Sequence, residues 1–197
     1  MNAPPATARV IPLRREGISG NGVFGMALVV FVEVMLFAGF ISAFVIVQHS
    51  ATPGVWPPPD QPRLPVARTA LNTAALMASG VLLVLAHRAF RRREPGAASR
   101  LLAWAIALGA AFVALQGVEW AGLLRQGLTL TSSQLGAFFY LIVGAHAVHA
   151  VAALIALAWC WRRLRAGRLT ASEFGGTQLF WYFVVLVWPV LYVLVYL

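Results

Sequence analysis

The sequence predicts an all-α polytopic membrane protein, a bundle of five transmembrane helices. Composition is the first reason. The 197 residues are 60% hydrophobic and only 11% charged, whereas soluble domains run at roughly 45–50% apolar and 25% charged. Distribution is the second: the apolar residues gather into five runs, each able to cross a hydrocarbon core that takes about 20 helical residues. The third is that the charges collect at the ends of those runs. One transmembrane domain over 23–197, preceded by a tail over 1–22, follows from this pattern.

The first run, 23–47, opens after "NG" and closes at the proline-rich stretch "TPGVWPPPDQPRLP". Its "WPPP" is expected to be stiff and extended, because proline fixes φ and donates no hydrogen bond. The second run, 69–87, stops at "RRREPGAAS"; the third, 101–124, at "RQGLTLTSS"; the fourth, 134–161, at "RRLRAGRLTASEFGG"; and the fifth covers 174–197. Gly, Pro and Ser clusters are ordinary chain punctuation. In lipid each run must satisfy its own backbone, so each is expected to be helical. No internal repeat is visible, and Cys160 has neither a disulfide partner nor a ligand cluster, so it reads as packing.

All fifteen basic residues are arginine, and the formal charge is +9. Their placement argues against nucleic acid as a partner: no aromatic residues interleave them, and they cluster beside the apolar runs. Arg9, Arg14 and Arg15, then Arg88, Arg91, Arg92, Arg93 and Arg100, then Arg162, Arg163, Arg165 and Arg168 would share one side, against Arg63, Arg68 and Arg125 on the other. The side richer in arginine is the cytoplasmic one. The N-terminus is therefore expected in the cytoplasm and the C-terminus in the periplasm of a bacterial inner membrane. Arg91, Arg92, Arg93, Arg162 and Arg163 are expected to meet anionic headgroups of membrane phospholipids. Trp104, Trp159, Trp161 and Trp181 would mark the inner boundary and Trp120 the outer. The tail lacks a short apolar core with a cleavage site, so the first span is read as its own insertion signal.

Polar groups inside the spans carry what functional signal remains, since a charge at mid-bilayer costs about 2.5–3.5 kcal/mol on the mildest scale. Glu33, in "FVEVMLFAGF", lies about 15 Å into the first helix by its rise. With no intramembrane Lys or Arg beside it, it is expected to be largely protonated; a neutral group bonded to a neighbouring helix for packing alone is the other reading. Glu119 and Gln116, in "LQGVEW", share a face near the outer edge and read as structural. His146 and His149, in "FFYLIVGAHAVHA", are spaced to project from one face of the fourth helix. His49 and His87 lie at the wrong depth for a bis-histidine haem; Glu33 is near the depth of His146 and His149 and could supply a third metal ligand, but no spacing supports that contact, so helix-to-helix hydrogen bonding is the favoured reading. Thr69, Asn72, Thr73, Ser79 and Gly80 form a small, weakly polar stripe suited to close helix packing. Pro189 is expected to kink the last helix. No nucleophile-and-base set or phosphate-binding loop appears.

Together, in this order, "FVEVMLFAGFISAF", "WPPPDQPRLPVARTALNTAALMASG", "LQGVEW", "FFYLIVGAHAVHA" and "WYFVVLVWPVLY" resemble subunit III of the haem–copper terminal oxidases across nearly the whole chain. The resemblance is to the short bacterial form, which lacks the first two helices of the longer one. It implies a non-catalytic subunit of an oxygen-reducing, proton-pumping oxidase. Haems and copper would sit in partner subunits, with none in this chain. Subunit I would be the direct neighbour, with subunit II and a candidate subunit IV in the same complex, and bound phospholipid would accompany them. It further implies that Glu33, Phe37 and Phe40 line a lipid or oxygen route toward subunit I, and that Gln116, Glu119, His146, His149 and Asn72 form a structural polar network. The last helix departs from the family, with Tyr182 and Val185 where a histidine and an aspartate are common. Cytochrome c is the expected electron donor; a quinol oxidase or nitric oxide reductase-type complex is the alternative within the family. A haem-b anchor or a small transporter is the alternative outside it, although the chain lacks the inverted repeat of many transporters.

Overall fold

Five long helices follow one another in the computed structural model, which describes residues 18–50, 62, 64 and 66–196. They are α1 (Ile18–Ser50), α2 (Val66–Arg91), α3 (Pro95–Arg125), α4 (Gln134–Arg165) and α5 (Ala171–Leu191), the last continued by a π turn at Tyr192–Tyr196. All five are long and apolar enough to span a membrane. Arg9, Arg14, Arg15, Arg63 and the "WPPP" loop lie outside the described residues.

The helices overrun the expected spans at their arginine-bearing ends: α2 runs on to Arg91 and α4 to Arg165. The first arginine marks the edge of the hydrocarbon but not of the hydrogen bonding. Arginine is a good helix former and suits the negative C-terminal end of the helix dipole. Entry into α4 is fixed by Ser133, whose side chain accepts from the Gly136 N–H at 3.0 Å. Entry into α5 is fixed by a capping box in which Thr170 and Glu173 bond each other's backbone N–H. Pro189 sits inside α5, which continues past it before the π turn.

Helices α2 and α3 form the most extensive pair, α4 packs on α3, and α5 packs on α1, α4 and α2 and reaches α3 through its tryptophan side chains. The close fit is built from small residues. On α3, a Cβ added at Gly109 would lie 2.6 Å from the Trp181 ring, so the indole of α5 lies directly over the α3 backbone. Trp181 is fully buried, and its Nε1 donates to Ser79 Oγ at 3.1 Å, while Ser79 itself donates to the Ala105 carbonyl at 2.8 Å. Trp181 is thus a core residue and not the interfacial anchor its position suggested; inside the bundle Ser79 satisfies the N–H that an interfacial indole gives to water. Trp104 and Trp159 do face outward.

Helix α1 stands apart. It packs on α5 and more lightly on α4, and far less of its apolar length is buried within the chain than is the case for the last helix. Phe24, Phe31, Val32, Met35 and Ile46 all face outward. Its single inward stripe runs Val30, Glu33, Phe37, Ile41, Phe44, steps of three and four that keep one side of a helix.

Candidate functional site

That inward stripe carries Glu33 to α4. Glu33 Oε2 lies 3.0 Å from His149 Nε2, close in distance but without the alignment of a hydrogen bond. The other ring nitrogen of His149 is 2.7 Å from the Ala145 carbonyl. A carbonyl only accepts, so Nδ1 carries a proton and a neutral ring would turn a lone pair toward Glu33. The carboxyl group of α1 and the imidazole of α4 thus face each other across the seam between the two helices.

Phe37, one turn beyond Glu33, closes the site. It is 2% exposed, meeting the rings of His149 at 5.6 Å, Phe183 at 5.8 Å, Phe40 at 6.1 Å and His146 at 6.3 Å. Phe37, on the same stripe as Glu33, is turned toward this chain's own helices and also lines the groove between α1 and α5. Phe40 is partly covered.

A second polar assembly joins α2, α3 and the end of α5. Asn72 Nδ2 donates to the Phe112 carbonyl at 3.1 Å and to Gln116 Oε1 at 3.3 Å. Gln116 Nε2 donates to the Tyr196 hydroxyl at 2.9 Å and to Glu119 Oε2 at 3.3 Å. Thr69 Oγ1 donates to the same carboxylate oxygen at 3.0 Å. Gln116, Glu119 and Asn72 are thus brought together, and His149 belongs to the Glu33 site instead. His146 joins neither by hydrogen bonding. It is 1% exposed with both ring nitrogens unpartnered, held among aromatic rings, with Trp188 at 5.1 Å and Phe112 at 6.5 Å. The spacing that put it on the same face as His149 is real, but its neighbours there are hydrocarbon.

Sequence reasoning missed Tyr196 and Trp188, whose Nε1 donates to Thr73 Oγ1 at 2.8 Å. Neither has a local signal, because their partners lie 80 and 115 residues away. The two departures in α5 have simple neighbours. The Tyr182 hydroxyl accepts from Gln178, and Val185 seats on Gly80, where an added Cβ would meet it at 3.1 Å.

At the arginine-rich end Arg91, Arg92, Arg93 and Arg162 are exposed, while Arg163 is partly buried and paired with Glu173 at 3.1 Å. Among the described residues no group of three or more His, Cys, Asp or Glu side chains is placed to hold a metal ion.

The family model described as cytochrome c oxidase subunit III matches residues 15–197. The chain belongs to the cytochrome c oxidase subunit III family. Among curated relatives, the cytochrome c oxidase subunit 3 of Cyprinus carpio is 34% identical over 180 residues, covering 88% of this chain and 68% of the relative. That of Lycodon semicarinatus is 32% identical over 188 residues, covering 92% and 71%. That of Ornithorhynchus anatinus is 32% identical over 180 residues, covering 88% and 68%. As a subunit III the chain is a multi-pass membrane component of an oxidoreductase complex and works alongside other oxidase subunits.

Proposed function

We propose that the chain is the accessory subunit III of an aerobic, proton-pumping cytochrome c oxidase in a bacterial inner membrane, with its N-terminus cytoplasmic and its C-terminus periplasmic. It carries no catalytic centre of its own. Haems and copper belong to partner subunits, with subunit I in direct contact and subunit II and a candidate subunit IV in the same complex. The observation that supports this best is the Glu33–His149 contact, made within the membrane span by a helix whose outer face this chain leaves uncovered.

Carboxyl and imidazole groups are both able to exchange protons, so a contact between them inside the span suits support of proton uptake. Next to it, an apolar groove of about 380 Å³ runs between α1 and α5, lined by Val30, Phe37, Ile41, Phe183, Leu186 and Val190. Oxygen and acyl chains both partition into such surroundings, which suits lipid binding and oxygen access toward subunit I. The exposed Arg91, Arg92, Arg93 and Arg162 would hold anionic headgroups at the cytoplasmic boundary; Arg163 contributes less, being committed to Glu173.

Glu33→Gln in the intact oxidase tests the reading. The initial rate of oxygen reduction should stay within about twofold, since the group touches no redox centre, while the number of turnovers before inactivation should fall several-fold. An initial rate abolished by the substitution would place the residue in the chemistry and contradict the proposal.

A further inference from the structure

His146 is 1% exposed, and both of its ring nitrogens are without a hydrogen-bond partner among the described residues. A neutral imidazole presents one donor and one acceptor, and a polar group taken out of water with neither bond made is destabilising. Buried polar groups are therefore nearly always answered by something. Beside this ring lies space. A cavity of about 160 Å³ opens between α3 and α4, and His146 lines it from α4.

Two polar residues of α3, one turn apart and so on one face of the helix, line the same cavity. Trp120 is one, and its Nε1 is also buried and unpartnered. Gln116 is the other; its Oε1 accepts from Asn72 at 3.3 Å and, as an amide oxygen, keeps a second lone pair. The cavity is thus offered two N–H donors, one from indole and one from imidazole, and two acceptors, the remaining imidazole nitrogen and the amide oxygen. That count selects the occupant. An acyl chain would satisfy none of the four, and a dissolved gas could not donate. An ion would bring a charge that no carboxylate or guanidinium among the lining residues balances. Water both donates and accepts, and the volume is well above the roughly 10–15 Å³ that one water needs.

We propose that this cavity is an intramembrane water site, in which a small ordered cluster accepts from the Trp120 indole and bridges the His146 imidazole to Gln116. Gln116 also bonds Tyr196 and Glu119, so the water ties α4 into the polar assembly of α2, α3 and the end of α5, which His146 does not reach by direct contact. Gly117 leaves room at the mouth: it lines the cavity, is exposed, and an added Cβ there would meet nothing within 4 Å. The site rests on the packing of this chain's own helices and stands or falls separately from the choice of oxidase and from any role of Glu33.

Electron cryo-microscopy of the intact complex, at a resolution that shows ordered water, tests this directly. Discrete density is expected at about 2.7–3.2 Å from a His146 ring nitrogen and from Trp120 Nε1. Trp120→Phe should lose the density at the indole and keep that at the imidazole. His146→Phe exchanges the imidazole and its water together for hydrocarbon, which leaves the fold intact, and should clear the density beside residue 146. A second readout needs no map. X-ray hydroxyl-radical footprinting generates radicals from water in place, so His146 should be oxidised despite its burial, and the yield should fall several-fold in Gly117→Leu, whose side chain would occupy the mouth. Continuous hydrocarbon density in the cavity would overturn the site, as would a His146 that escapes oxidation in the wild type or is oxidised equally in Gly117→Leu.

Discussion

A carboxyl group with a single histidine for company has few options in hydrocarbon, and Glu33 shows which one this chain takes. With Nδ1 of His149 2.7 Å from the Ala145 carbonyl, the ring is oriented so that Nε2 faces the acid at 3.0 Å. A hydrophobic carbodiimide, which reaches carboxyl groups inside the bilayer, should modify Glu33 in intact membranes at neutral pH, as expected of an acid in a membrane span, and Glu33→Gln should abolish the labelling; mass spectrometry of the 31–40 segment reads the result. His149→Phe replaces the polar group that faces the Glu33 carboxyl by hydrocarbon and should destabilise the fold by about 1–3 kcal/mol, whereas Glu33→Gln keeps a polar group opposite His149 and should cost under about 1 kcal/mol. Detergent-unfolding curves check both. His146 predicts the opposite sign. Since neither of its nitrogens has a partner and its neighbours are Phe37, Phe112 and Trp188, His146→Phe should leave stability unchanged or raise it. Much of this was legible as depth and little of it as pairing. Helical rise set Glu33 and the two histidines at similar levels, but which imidazole turns to the acid depends on how α1 leans on α4, a contact between segments more than 100 residues apart in sequence.

Between elements, small residues decide the distances. Gly109 and Gly80 let α5 approach α3 and α2 until Trp181 and Val185 fill the space, and Ser79 then bonds both α3 and the indole of α5. Gly109→Leu should force that contact apart and cost about 1–3 kcal/mol by overpacking; a fall in thermal midpoint together with a red-shifted, more quenchable tryptophan emission is the expected signature. The stripe Thr69, Asn72, Thr73, Ser79 and Gly80 was readable from spacing as a packing face. Its partners were not, because a stripe of small residues fits any neighbour, and the choice of α3 and α5 comes from Phe112, Gln116, Trp181 and Trp188 arriving from distant parts of the chain. Trp181 illustrates the ambiguity: an indole near the end of an apolar run reads as a boundary marker until a hydroxyl such as Ser79 supplies the bond that water would have made.

At the scale of the molecule, the number of spans and the all-helical architecture followed from apolar length alone, since a bilayer leaves the backbone no other way to satisfy itself. The lean of α1 did not, because lipid and protein look alike to an apolar face. Yet that lean governs the functional reading. Helices α2 to α5 bury one another, while α1 carries the acid to His149 and presents its remaining faces outward, an arrangement suited to a protein that serves a reaction centre held by a neighbour. The most direct test is affinity purification of the tagged chain from native membranes, followed by a reduced-minus-oxidised spectrum before and after it is stripped from its partners. The account predicts that haem bands and copper come down with it and stay with the larger partner on separation, leaving this chain colourless. Haem that remains on the isolated chain would contradict it.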